Sequence, residues 1–326
     1  MSENALKKLA DLVRNWSGSL WEMTGSGVGG FRMNPQIGVN LFSSTDLAWI
    51  LYAMGEQDIG GDRRAPWVRY LQSQQDARTG RFQYDPAASN HSSGHAFWHT
   101  VRALNILGGD LLFAPEYLRP VLTCSGLAAW FDAVDWSGPA SNHHEVLGLV
   151  PILASRGDHE WTELFYAKLA RQQDARQGTW PAGTGHVNIS RTFAYTVLHL
   201  AAGRMPRMSE KIIDAILSLQ RDDGLWDKGP GFLTMDAAYL LIRLPRRTGH
   251  RQADAAGALD RLYAAMTDLL EARIRTVLNN THGMLAVVQI FALMQEAMPR
   301  RLPSEKPWRF DWDVPRMYCS KVIAGM

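Results

Sequence analysis

Polar residues with chemical reach interrupt six otherwise apolar stretches of this 326-residue chain. In chain order they are Asp46, followed by Trp49; His95 and His99; the run Asn142-His143-His144-Glu145; Arg191 with Tyr195; Asp236 with Tyr239; and His282. Burying a polar group without a partner costs roughly 1 to 3 kcal/mol, so their return at the start of each apolar stretch needs a reason. The set holds the parts of acid–base chemistry. Removing a proton beside a carboxylate leaves negative charge on an enolate, which requires a base of near-neutral pKa and donors aimed at the oxygens. Histidine is the natural base, and arginine or asparagine the natural clamp. On this reading His143, His144, Arg191 and Tyr195 are catalytic. Asp46, Trp49, His95, His99, Asn142, Asp236, Tyr239 and His282 then contact the substrate.

Plainer roles exist for several of them. Asp46 follows Ser43-Ser44-Thr45 and Asp236 follows Thr234, so each could belong to a helix N-cap. His95 and His99 lie one helical turn apart, a spacing that suits a metal, but no third ligand follows from the spacing and no metal is expected. The run from Asn142 to Glu145 exceeds what capping needs, since one cap satisfies only part of a first turn. Cys124 and Cys319 have no metal-like spacing and are expected to be reduced thiols. No organic cofactor is expected.

The elements that must position these residues come in two kinds. Ser44 to Met54, His95 to Leu107, His143 to Ser155, Arg191 to Ala202, Asp236 to Leu244 and His282 to Met294 are apolar on nearly all sides, as helices buried all round should be. Their partners, Pro66 to Gln74, Glu160 to Arg171, Ser209 to Leu219 and Ala256 to Arg273, carry charge on one face and read as an outer layer. The units recur every 45 to 55 residues. Their approaches place an aromatic near a small or acidic residue: Gly18-Ser19-Leu20-Trp21, Gly80-Arg81-Phe82, Val134-Asp135-Trp136, Gly178-Thr179-Trp180 and Gly224-Leu225-Trp226. In three of them Gln74-Gln75-Asp76, Gln172-Gln173-Asp174 and Gln220-Arg221-Asp222 precede the glycine, which lets the chain reverse with a positive φ. Six such hairpins predict an all-α fold, an (α/α)6 toroid of two concentric rings over residues 1–302. Residues 303–326 form an extended C-terminal flap over one mouth, because Pro303, Pro307 and Pro315 break helices while Trp308, Phe310, Trp312 and Tyr318 need a surface to bury against. Asp311 and Asp313 would project to one side of that flap, either into the cavity as an acid pair or into water.

The glutamine, acid, glycine and aromatic repeat resembles that of terpene cyclases and protein prenyltransferases, whose toroids bind isoprenoids in an aromatic-lined cavity. The resemblance covers nearly the whole chain as architecture. It does not extend to an Asp-x-Asp-Asp motif for protonation, an Asp-Asp-x-x-Asp motif for diphosphate and magnesium, or the prenyltransferase zinc set. The stretch from Asn142 to His199 is similar to the centre of alginate-lyase-like toroids, through Asn142-His143, Gln173-Asp174, Gly178 and Arg191-Thr192-Phe193-Ala194-Tyr195. That resemblance implies that Asn142 and Arg191 neutralise a carboxylate, His143 takes the α-proton and Tyr195 protonates the leaving oxygen.

Composition adds exclusions. A net charge of +2 with 20% charged residues is ordinary for a folded cytoplasmic protein. Arg63-Arg64, Arg246-Arg247 and Arg300-Arg301 are scattered through loops without interleaved aromatics, so nucleic acid is not an expected partner. The longest uncharged runs fall short of the 18 or more apolar residues of a membrane span, and Met1 to Arg14 lacks the apolar core of a signal peptide. These features predict a cytoplasmic enzyme acting on a small-molecule substrate, with the oligomeric state open. The expected activity is that of a lyase or isomerase on a small carboxylate or sugar acid. The alternatives are an isoprenoid-type cyclase or dehydratase, and a non-catalytic ligand-binding toroid. Twelve tryptophans would serve sugar stacking and carbocation shielding equally.

Overall fold

A computed structural model describes residues 5–25, 27–83, 92–136, 145–182, 187–272, 280–304 and 306–326. Within them the chain is all-α apart from one small hairpin. The helices are α1 (Ala5–Leu20), α2 (Leu41–Ala53), α3 (Arg64–Ser73), α4 (Ser93–Leu107), α5 (Cys124–Ala133), α6 (Val150–Arg156), α7 (His159–Arg171), α8 (Ile189–Ala201), α9 (Ser209–Ser218), α10 (Phe232–Thr248), α11 (Gln252–Ala272), α12 (Thr281–Ala297) and α13 (Lys321–Ala324). Strands β1 (Trp21–Gly25) and β2 (Val28–Phe31) pair antiparallel. Trp21, expected to plug the approach to a helix, instead opens this hairpin and packs on Phe31. Among the described residues no helix is long and apolar enough to cross a membrane.

Two kinds of helix are present, as the hydrophobic pattern requires. Every residue of α12 from Met284 to Gln295 is buried, and so is every residue of α2 from Leu41 to Ile50. By contrast α7 buries a single stripe, Trp161, Phe165, Tyr166 and Leu169, and α9 buries Ser209, Ile212, Ile213 and Ile216. The helices that carry the apolar stretches pack in the order α6, α4, α2, α12, α10, α8, although α6 buries only Val150, Pro151 and Ile152, and the one-sided ones lie against them, α3 on α2 and α4, α9 and α11 on α10.

Four of these N-termini are capped from outside the helix. Asn40, Ser92, Asn188 and Asn280 accept from the backbone N–H of Ser43, His95, Arg191 and Gly283, each satisfying one of the donors that a helix start leaves without a partner. Asp46 and Asp236 are therefore not caps. Asp46 sits in the second turn of α2, and α10 starts at Gly231 without a side-chain cap.

The repeated turns share one hydrogen-bond scheme. The Gln75 amide donates to the carbonyls of Gly80 and Phe113, and its oxygen accepts from the N–H groups of Leu112 and Phe113. Gln173 likewise donates to Gly178, and Gln220 to Gly224 and Ala258. Asp76 and Asp174 close their turns by accepting from backbone N–H groups two and three residues on. The third turn is one residue shorter. Arg221 takes the backbone place of those acids, and Asp223, not Asp222, accepts from Leu225 N–H. At Gly80 and Gly224 a positive φ coincides with close backbone approach: a Cβ would lie 2.1 Å from the Ala114 carbonyl oxygen and 2.6 Å from that of Arg261.

After α12 the tail is stitched across the helices. Trp308 N–H donates to Gln295, Arg309 N–H to the Ala53 carbonyl, and the Arg102 guanidinium to the Asp311 carbonyl and the Tyr318 hydroxyl. Trp308, Phe310, Trp312 and Tyr318 are all buried.

Two outcomes follow from this packing. Gly80→Ala should destabilise by about 2 kcal/mol or more, from backbone strain and the clash together, read as a lower urea midpoint; an unchanged midpoint would refute the close approach. Truncation after Leu302 removes four buried aromatics, each stabilising by about 1.5 to 3 kcal/mol. It should lower the thermal midpoint by roughly 10 °C or more, whereas an intact midpoint would make the tail a detachable lid.

Candidate active-site cavity

A cavity of about 410 Å³ lies between the two ends of that helix order, bordered by α6 and α8. One face of α8 forms its long wall, through Ser190, Phe193, Ala194, Val197, Leu198 and Ala201. That spacing of three and four residues is a single helical stripe. Val150, Leu153 and Ala154 of α6 and Tyr166 of α7 line it as well, and Trp312 and Tyr318 bring the tail to it. The polar side chains gather where helices begin: His95 on α4, Ser190 on α8, Asp236 on α10 and His282 on α12. No Lys or Arg lines the cavity among the described residues.

Asp236 is the chemically distinctive group. It is 2% exposed, and burial pushes its carboxyl well above the ordinary carboxylate range, while a hydrogen bond from Ser190 opposes the shift in part. A low-dielectric surrounding disfavours the charged form, which shifts Asp236 toward its neutral form.

His282 has a different setting. Its Nδ1 lies 3.3 Å from both oxygens of the fully buried Asp46, which also accepts from the Thr281 hydroxyl at 3.1 Å. His99 Nδ1 stands 3.8 Å from the same carboxylate and 3.3 Å from the Thr45 hydroxyl. An Nδ1–H directed at a carboxylate fixes the orientation of the ring. The Phe232 ring packs on His282 with centroids 4.4 Å apart. Behind them, His99 stacks between Trp49 and His95 at 4.1 and 4.7 Å.

Of the residues expected at the site, then, His95, Asp236 and His282 line the cavity, and Asp46 and His99 stand behind His282. Trp49 is buried beneath His99, with its N–H on the His99 carbonyl. Arg191 and Tyr195 belong to a neighbouring stripe of α8 and do not line the cavity. The Arg191 guanidinium donates to the Trp136 carbonyl, and Tyr195 packs edge-on against Trp136 and Trp180. Tyr239 donates to Asp313, which also meets Arg243. Asp311 accepts from Tyr52, so both tail carboxylates are tied to helices and neither lines the cavity. Asn142, His143 and His144 lie outside the described residues. No group of three or more His, Cys, Asp or Glu side chains placed to hold a metal occurs among the described residues.

Sequence reasoning missed Ser190, Trp98, Phe193, Phe232 and the position of Trp312. Ser190 and Phe193 carried a usable signal, since their stripe continues to Ala201 in small and apolar residues, whereas Arg191 and Tyr195 start a stripe that ends on His199.

Comparison with protein families finds no match, and comparison with solved structures finds none either. A 96-residue stretch, 29% of the chain, is 30% identical to an uncharacterized protein of Bradyrhizobium diazoefficiens, of which it covers 19%. The chain thus spans about a fifth of that relative's length.

The raised pKa of Asp236 has a stability consequence. Its unfolded value is about 3.9; the preference for the folded chain is complete below that range and is lost as pH rises through the higher folded value. Asp236→Asn should therefore flatten the decline of stability with rising pH, measured as urea midpoints across a pH series. Equal slopes in both proteins would show that Asp236 is not held neutral.

Proposed function

We propose that this protein is an (α/α)6-toroid enzyme that isomerises or cyclises a neutral, apolar alkene of the isoprenoid type by proton transfer. The observation that carries the reading is a buried carboxyl, Asp236, whose pKa burial raises, facing an aromatic-lined cavity that also presents a carboxylate-backed histidine. The toroid is supported by the succession α6, α4, α2, α12, α10, α8, whose two ends both border the cavity.

The chemistry balances without a cofactor. Asp236 gives its proton to one carbon of a double bond, whose π electrons form the new C–H bond and leave a cation on the other carbon. A second double bond of the same molecule can attack that cation and close a ring. His282 then removes a proton from the carbon beside the cation, and the released electron pair becomes the new double bond. The product is an isomer of the substrate. Asp46 positions His282 and compensates the imidazolium that forms, as a buried partner to a charge must. The faces of Trp98, Phe193, Phe232 and Trp312 are the natural surroundings of a passing cation, and the apolar walls keep out the water that would quench it.

Abstraction of an α-proton from a sugar acid finds less support. That reaction needs a cation or amide clamp on a carboxylate, while Arg191 and Tyr195 are directed to Trp136 and Trp180 rather than to the cavity. A purely structural toroid has no use for an open cavity holding a buried acid.

The test is incubation of the purified protein with linear prenyl alcohols and hydrocarbons in deuterium oxide, with products read by mass spectrometry. An isomeric product carrying one deuterium on carbon is expected, and Asp236→Asn should slow its formation by roughly 100-fold or more. His282→Gln should divert the cation to water and yield a hydrated product. Deuterium-free substrate recovered throughout, or activity indifferent to Asp236, would overturn the proposal.

A further inference from the structure

The cavity has a direction. Its acid and histidine stand at the Ser190 end, and the stripe of α8 carries it past them as far as Ala201. At that far end Leu153 and Ala154 of α6, Ala201, Ala202 just beyond α8 and Pro315 of the tail line it, together with Tyr166, whose hydroxyl is held by the Leu198 carbonyl. Ala202 and Pro315 are exposed, while Leu153, Ala154 and Ala201 are half-buried. The space between α6 and α8 thus runs from a reactive end to an apolar opening at the surface.

At a rise of about 1.5 Å per residue, the wall from Ser190 to Ala201 is about 16 Å long. An extended hydrocarbon advances roughly 1.3 Å per carbon–carbon bond, so this wall matches a chain of roughly a dozen main-chain carbons. That is the length of about three isoprene units, at four main-chain carbons to the unit. Ala194, Ala201 and Ala154 leave the bore open where larger side chains would close it, and volume added to a packed apolar site is not absorbed by its neighbours.

We infer that α8 measures the substrate: the cavity takes a linear chain of three isoprene units threaded along the Ser190–Ala201 stripe, with its reacting double bond at Asp236, and Ala201 with Ala154 sets the length accepted. This rests on the proton-transfer reading for the identity of the reactive end, but not for the length. The absence of Lys and Arg from the lining among the described residues makes the chain uncharged over the whole of the wall, because an ionised group there would have no counter-charge.

The experiment is calorimetric titration of the full-length protein with linear all-trans prenyl alcohols of two, three and four units. The three-unit alcohol should bind at least ten-fold more tightly than the two-unit one, with no further gain from a fourth unit, which would extend beyond Ala202 into solvent. Ala201→Phe and, from the opposite wall, Ala154→Phe should each weaken the three-unit alcohol ten-fold or more and leave the two-unit alcohol unchanged. Circular dichroism and the thermal midpoint establish that the variants are folded, and two walls guard against one of them failing to fold. Affinity indifferent to chain length, or equal losses for both alcohols in folded variants, overturns the ruler. Asp236→Asn separates the two proposals, since it should abolish turnover while keeping the length preference. Length-selective binding without product from any alcohol would sink the chemistry and leave the ruler standing. Product formation unaffected by Ala201→Phe would do the reverse.

Discussion

The indole of Trp312 is the contact on which the interior turns. It meets Trp49 at 4.8 Å, Trp98 at 5.4 Å and Phe193 at 5.6 Å between ring centroids, and stacks on Phe310. Three helices, α2, α4 and α8, therefore converge on one ring that arrives from the end of the chain. An aromatic ring supplies large buried area between these helices for little conformational entropy. The same ring is a wall of the cavity, so the contact that completes the core also bounds the site.

This arrangement explains why the tail is anchored by polar bonds as well as by rings. Arg102 is buried, lies over the Trp49 ring at 4.3 Å and donates to Asp311 and Tyr318. Asp313 receives Tyr239 and Arg243, and Asp110 receives Ser320 and Lys321. These bonds join the tail to α4, to α10 and to the loop after α4, all far away in sequence. Turns over 311–319 and the short α13 satisfy part of the tail's backbone internally, and the side chains of Asp311 and Asp313 are met by Tyr52, Tyr239 and Arg243.

Two buried carboxyls, Asp236 lining the cavity and Asp46 behind it, have different surroundings. Asp236 faces apolar walls, and the low dielectric raises its pKa against a hydrogen bond from Ser190. Asp46 is buried too, but it is surrounded by donors, Thr281 and the rings of His282 and His99. The two acids thus lie in separate surroundings, one apolar and the other met by hydrogen-bonding side chains.

Much of the fold was legible in the residues. The two kinds of helix, the glycine turns and the irregular tail follow from local rules: a 3.6-residue period, the freedom of glycine at positive φ, and the inability of proline to continue a helix. Asp46, His95, Asp236 and His282 stood out in the residues for the same reason, since polar residues inside apolar helices are conspicuous. What only the tertiary structure decided is which stripe of each helix meets the cavity. Ser190 and Arg191 are neighbours in sequence, yet their side chains leave α8 about 100° apart, and the packing of α10, the tail and Trp136 selects Ser190 for the cavity and turns Arg191 to a carbonyl. The pairing of Asp46 with His282, the placing of Trp312 against Trp49, and the shift of the third turn's cap from Asp222 to Asp223 depend likewise on rotations and registers set by neighbouring elements. A sequence fixes the period of a helix by itself, but its rotation only through what packs against it.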